Sequence, residues 1–254
     1  MAQQTVPVRD ARLGRAVGAT GSGETVHGVL LLLPAGEPES TRRPSPVTAA
    51  AARPLARRLA REGRDHGLVT HVVRYRYRGW NGEASHPVED ARWAADEAVR
   101  RYGEVPVCLA GTDMGARAAL RAADHPAVNS VLAMAPWLPG QESREGPDPV
   151  KQLLGRRVLL VHGTNDERTD PQLSYRYAER AKKVNRDVCR FEVHTDGHGL
   201  SQHRPEVHSL AADFVLGSLF ARAFSRPVAD ALAAPPPLGL RMPLAAGFGS
   251  PLRH

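Results

Sequence analysis

Short apolar runs alternate along this chain with stretches where apolar positions recur every three to four residues. The first clear run, Val26 to Leu33, is nearly continuous, which suits a strand covered on both faces. Val69 to Tyr75, Pro106 to Ala110, Val128 to Ala133, Arg157 to Val161 and Asp187 to Val193 read as further strands. Between them the helical period predicts helices from about Val47 to Asp65, from Pro87 through Trp93 to Arg101, and from Ala116 to about Ala123. Two more are predicted from Pro171 to Lys183 and from about Pro205 to Arg222. Prolines punctuate the pattern: Pro87 opens a helix, and His125-Pro126 closes one. Strand and helix in alternation predict an α/β protein with a mostly parallel, doubly wound sheet flanked by helices.

The ends read differently. Residues 1–20 predict an antiparallel edge segment, with a hairpin as its expected form, and 21–225 the α/β domain. Beyond Arg226 the Pro235-Pro236-Pro237 run, Pro243, Gly247, Gly249 and Pro251 predict a Pro/Gly/Ala-rich tail without a fixed fold. At 254 residues the chain is long enough for one sizeable core. No apolar run approaches the roughly 20 residues that cross a bilayer, so no membrane partner is expected. The N-terminus shows no basic segment followed by an apolar stretch, which makes the cytoplasm the expected compartment. Cys108 and Cys189 both fall in strand-like runs and read as buried small hydrophobes.

A formal net charge of +7 raises the question of nucleic acid. The arginines are dispersed, aromatic residues make up only 5%, and no stacking motif appears, so nucleic acid is not expected as the partner. One local stripe stands out: Arg53, Arg57, Arg61 and Arg64 fall at helical spacing beside Arg58. It reads as a solvated helix face, with a polyanion or partner surface as the alternative. A small-molecule substrate is the expected partner, and either a monomer or a homodimer fits.

The chemistry centres on Gly111-Thr112-Asp113-Met114-Gly115, which follows a strand and precedes a helix. A strand, a Gly-x-nucleophile-x-Gly turn and a helix form a sharp elbow that projects its central side chain above the carboxyl end of the sheet. Further along, the strand from Arg157 ends in His162-Gly163-Thr164-Asn165-Asp166, and the last strand ends in Asp196-Gly197-His198-Gly199. This set resembles the α/β-hydrolase superfamily, whose chain order is nucleophile, acid, histidine. The resemblance spans about residues 24–222 and implies Asp113, Asp166 and His198 as the catalytic set. It also implies an oxyanion hole built from the backbone N–H groups of Met114 and of the Ala35-Gly36 region.

Aspartate at the elbow is similar to that of haloalkane dehalogenases and epoxide hydrolases. An aspartate is ionised at neutral pH and attacks saturated carbon without prior proton loss. His198, oriented by Asp166, would then activate water against the resulting ester. Two features depart from those families: Met114 follows the aspartate, and the stretch from Pro136 to Arg157 is too short for a helical cap. Asp113 to Leu120 looks closer to small cap-less members of the dienelactone-hydrolase or thioesterase kind. Trp80, Asn81, Trp137 and Arg117 are candidate substrate contacts, Arg117 through its resemblance to a carboxylate-holding arginine of fluoroacetate dehalogenases. Packing is the competing reading for all four. His194, His198, His203 and His208 lack the convergent spacing of a metal site, so neither metal nor cofactor is expected. Three roles for Asp113 stay open: nucleophile of a hydrolase, a degenerate substitution in a binding protein, or general base of a lyase or isomerase.

Overall fold

A computed structural model describes residues 9–21, 23–140, 143 and 145–249. Near the N-terminus, β1 (Arg12–Leu13) and β2 (Val17–Gly18) precede β3 (Gly28–Leu33). The chain continues through α1 (Pro46–Glu62), β4 (Leu68–Arg74), α2 (His86–Tyr102), β5 (Val107–Thr112), α3 (Met114–Arg121) and β6 (Val128–Met134). It then forms β7 (Arg157–Gly163), α4 (Pro171–Val184), β8 (Val188–Val193), α5 (Arg204–Phe220), α6 (Arg226–Ala233) and β9 (Met242–Pro243).

The strands lie in the order β1-β4-β3-β5-β6-β7-β8-β9, and all pairs from β4 to β9 are parallel. β3 sits between β4 and β5, so the chain leaves it first to one side and later to the other. Such a reversal opens a crevice beyond the carboxyl ends of the strands. All six residues of β3 are buried. Val29, Leu31 and Leu33 face α2, α3 and α4, whereas Leu30 and Leu32 face α1, α5 and α6. Each of these leucines contributes roughly 1.5–3 kcal/mol by leaving water, which explains the unbroken apolar run.

Local signals place the helices. Ser45 caps α1 by accepting the Val47 N–H, and Pro46 occupies the first turn. Asp170 does the same for α4, accepting the Gln172 N–H ahead of Pro171. Between β6 and β7 the described residues carry only a short 3-10 turn at Lys151–Leu153, so no cap covers the sheet.

Two expectations about the ends need correction. β1 and β2 do not pair as a hairpin; each pairs antiparallel with β4, at Arg12↔Arg74 and Val17↔Thr70. Residues 1–8 lie outside the described residues. The stretch expected to lack a fixed fold contains α6 and then β9, which adds to β8 through Phe191↔Met242. Val228, Ala231 and Leu240 are buried there, and Arg190 and Lys182 donate to the carbonyls of Leu240 and Leu232. Prolines and glycines interrupt the stretch, but its buried apolar residues cover the edge of β8, which would otherwise stay open. Residues 250–254 of that tail are outside the described residues. Among the described residues, no helix is long and apolar enough to cross a membrane. Cys108 and Cys189 are buried and free, and burial pushes each thiol up to about 12.

Candidate active site

The elbow at the end of β5 is as tight as its sequence requires. Asp113 has φ 55° and ψ −121°, a left-handed conformation that is strained for any residue with a side chain. A Cβ on Gly111 would overlap the Gly115 carbonyl, and one on Gly115 would overlap the Leu33 and Pro34 carbonyls. Both glycines are therefore demanded by close backbone approach. The turn is held by the Asp113 N–H donating to Met134 O and by Trp137 N–H donating to Asp113 O.

The Asp113 side chain is 5% exposed, and its Oδ2 accepts from Arg168 Nη2 at 2.9 Å. Burial raises the carboxyl above the ordinary aspartate range, helped by the Asp166 charge. Arg168, His198 and the Met114 N–H pull the other way.

His198 stands on the loop after β8, with Nδ1 bonded to Asp166 Oδ2 at 2.9 Å. The loop is braced by Asp196, whose carboxylate accepts the N–H groups of Gly197, Ser201 and His203. Asp166 is more tightly held. Its Oδ1 accepts the N–H groups of Arg168 and Thr169, and its Oδ2 takes the Thr169 hydroxyl at 2.7 Å. Burial would raise this carboxyl, but the bonds from Thr169, His198 and Arg168 outweigh it and hold it at about 2. His162 Nε2 also reaches Asp166 Oδ2, at 3.0 Å. Burial and the nearby Arg190 charge push His162 down to about 4, so its imidazole is neutral at pH 7.

Asp113 and His198 line one cavity of about 390 Å³ above the carboxyl end of the sheet. α1 supplies an apolar wall through Ala51, Pro54 and Leu55, and α5 faces it with Arg204, Val207 and His208. Asp166 stands behind His198. The three sequence-chosen catalytic candidates thus meet at one place.

The other candidates divide. Ala35 borders the cavity, whereas Gly36 packs under the Met114 side chain, where a Cβ would overlap its Sδ and Cε. Trp80, Asn81, Trp137 and Arg117 do not line the cavity. Arg117 is buried beneath the elbow, where it donates to Asp148 at 2.8 Å and pairs with Glu145. Its guanidinium lies 4.0 Å from the Trp80 ring centroid and 5.0 Å from that of Trp137. Asn81 adopts φ 65° and ties down Ser40, accepting its N–H and donating to its carbonyl.

Arg168 and Arg204 were not singled out from the sequence, and His208 was weighed there only as a metal ligand. Arg168 lies two residues after the acid, so the only available signal was its place in that loop. Arg204 and His208 share a face at four-residue spacing, a pattern that surface helices also show. Among the described residues no cluster of three or more His, Cys, Asp or Glu is placed to hold a metal.

A glycine-flanked turn at the switch point, with Asp166 and His198 just past the later strand ends and no cap among the described residues, is the α/β-hydrolase fold. No protein-family model matches the chain, and no curated protein matches it in sequence. Solved structures do resemble it. A lidless α/β serine hydrolase from Xanthomonas campestris is 20% identical, covering 79% of this chain and 86% of that one, with a TM-score of 0.56. A Thermus thermophilus protein is also 20% identical, covering 84% of this chain and 99% of its own, with a TM-score of 0.59. An esterase from Pyrococcus furiosus is 15% identical, covering 83% and 91%, with a TM-score of 0.61. At these identities the likeness speaks for the fold.

Proposed function

We propose that this protein is a hydrolase of a small organic substrate, with Asp113 as nucleophile and the His198–Asp166 pair as the base that completes turnover. The observation that carries this reading is the meeting of the Asp113 carboxylate and an Asp166-oriented histidine on one open cavity. In the first step an Asp113 oxygen bonds to a saturated carbon, and the leaving group departs with its electron pair. In the second, His198 Nε2 takes a proton from water, because Nδ1 is committed to Asp166. Hydroxide adds to the Asp113 carbonyl carbon, and the tetrahedral oxyanion collapses with cleavage of the C–O bond to the alkyl group. The departing alkoxide takes the proton held by His198 and leaves as the alcohol, and Asp113 returns to its carboxylate by losing its own proton to solvent. The Met114 N–H lowers the Asp113 carboxyl from beside it, which supports this group as the oxyanion donor. The cavity sets one acid, Asp113, against Arg168 and Arg204, which favours substrates bearing a carboxylate.

The test is a panel of haloacids, haloalkanes, epoxides and esters with intact-mass readout. His198→Gln should accumulate an alkyl-enzyme ester, and Asp113→Asn should form none. A single turnover in H₂¹⁸O should label the Asp113 peptide. Turnover that survives Asp113→Asn refutes the assignment, and lost turnover without adduct or label points to a general base.

One observation supports a second reading. Arg168 occupies the nucleophile through its bond to Oδ2, as in a protein that binds an anion at the pair without covalent chemistry. That reading expects saturable binding of carboxylates that Arg168→Ala abolishes, with no adduct on any of the panel.

A further inference from the structure

A second cavity, of about 240 Å³, lies on the far flank of α1, between that helix, β4 and the turn joining β1 to β2. Its charged lining is Arg15, Arg53, Arg57 and Arg74, and among the described residues no acidic side chain borders it. All four are exposed, and none makes an ion pair or a side-chain hydrogen bond among the described residues. Elsewhere Arg58 pairs with Glu62, Arg64 with Glu24, Arg76 with Asp90 and Arg92 with Asp124; other arginines, such as Arg43, Arg61 and Arg186, also carry no ion pair among the described residues but stand outside this cleft.

The unpaired charges also sit where the fold makes them unfavourable. Arg74 lies directly opposite Arg12 in the antiparallel β1–β4 pair, and like charges in that position repel. Arg53 and Arg57 are four residues apart on α1, the spacing at which like charges destabilise a helix. Two independent local costs therefore converge on one concave site. The rest of its lining gives no handle for anything but charge. Val72, Ala49 and Ala56 are apolar, and the Thr70 hydroxyl is already spent on the carbonyls of Val17 and Ala56. Among the described residues no aromatic ring lines the cavity for a base to stack on.

From this geometry we infer that the Arg15/Arg53/Arg57/Arg74 cleft binds a small oligophosphate, either free or as the phosphate chain of a nucleotide. Guanidinium forks match phosphate oxygens bidentately, and a chain of phosphates bridges several forks at once. Occupancy relieves both the Arg53–Arg57 and the Arg12–Arg74 repulsion. This cleft shares α1 with the catalytic cavity, which lies on the opposite flank of the helix. The inference does not depend on the catalytic reading.

Calorimetric titration of the intact protein with phosphate, pyrophosphate and tripolyphosphate at low salt tests it, with ATP and a short single-stranded RNA as further arms. Affinity should rise with the number of phosphates. The Arg53→Ala/Arg57→Ala pair should weaken tripolyphosphate binding about tenfold or more, the scale of one or two lost charge-assisted bonds. Arg61→Ala, on the same helix but outside the cleft, should leave it unchanged. Equal affinity for ATP and tripolyphosphate identifies the phosphate chain as what is read; tighter ATP binding identifies a nucleotide source. Thermal unfolding gives a second readout. Without ligand the double variant should melt no lower than wild type, because it removes repulsion, but it should lose the stabilisation that tripolyphosphate gives wild type. Three results would overturn the inference: no binding to wild type, binding indifferent to Arg53 and Arg57, or RNA bound more tightly than any oligophosphate through the same residues.

Discussion

Arg117 and Arg168 each hold an aspartate at nearly the same distance, 2.8 Å to Asp148 and 2.9 Å to Asp113, yet their surroundings differ completely. Arg117 is 1% exposed, lies against two indoles and satisfies a second carboxylate. Arg168 is 59% exposed, and its carboxylate partner borders an open cavity. Removing Arg117 leaves the Asp148 carboxylate, itself 2% exposed, paired with Arg121 alone. Removing Arg168 leaves an aspartate that water in the cavity can reach. An ion pair thus serves structure or chemistry according to what surrounds it, and the bond length does not distinguish the two.

Each member of this contrast can be tested, beginning with the largest effect. Asp113→Asn should lower turnover about 10⁴-fold, the scale seen when a coupled nucleophile or base is disabled. Steady-state kinetics on any substrate found in the panel checks this. Arg117→Ala should cost about 3–5 kcal/mol in urea unfolding, because Asp148 is left buried with only Arg121 beside it. A loss below about 1 kcal/mol would erase the distinction between the two pairs.

Asp166 gives the pH dependence. Its carboxyl is held at about 2, below the model-compound value of 3.8. The stability it contributes is complete above about pH 4 and is lost as the pH falls toward 2. Asp166→Asn should therefore flatten that acid limb by about 2 kcal/mol, measured by unfolding across the range. The smallest stability effect is expected from Arg168→Ala, within about 1 kcal/mol, because the guanidinium is 59% exposed although its partner is buried. Its signature is electrostatic: the Arg168 charge lowers the Asp113 pKa, so its loss should move the acid limb of adduct formation to higher pH. An unmoved limb would mean that the pair does not tune the nucleophile.

Much of this arrangement was legible in the chain. The near-continuous apolar run at β3, with helical periods between the strands, led to the observed layers, because strands buried on both faces leave a pattern in a short window. The elbow was legible for the same reason. Gly111 and Gly115 must lack side chains, and that demand is local. Asp166 and His198 followed from their places at the ends of β7 and β8.

Trp80, Trp137 and Arg117 were harder to place, because a large side chain on a loop or first turn can face a cavity or the core. Only the position of Asp148, some 30 residues from Arg117 in sequence, decided that Arg117 turns inward. The tail misled for a related reason. Its prolines and glycines argued against regular elements, but the open edge of β8 gave its apolar residues a surface to cover.

The sequence by itself determined the strand–helix order, the glycine-flanked turn and the residue types of the candidate site, since each is encoded within a few neighbouring positions. Tertiary structure alone decided that Arg168 would sit on Asp113, that His162 would join His198 on Asp166, and that four arginines from three elements would share one cleft. These relationships join residues distant in the chain through the angles at which loops leave the sheet. Those angles come from the packing of the whole domain, and no short stretch of sequence carries them.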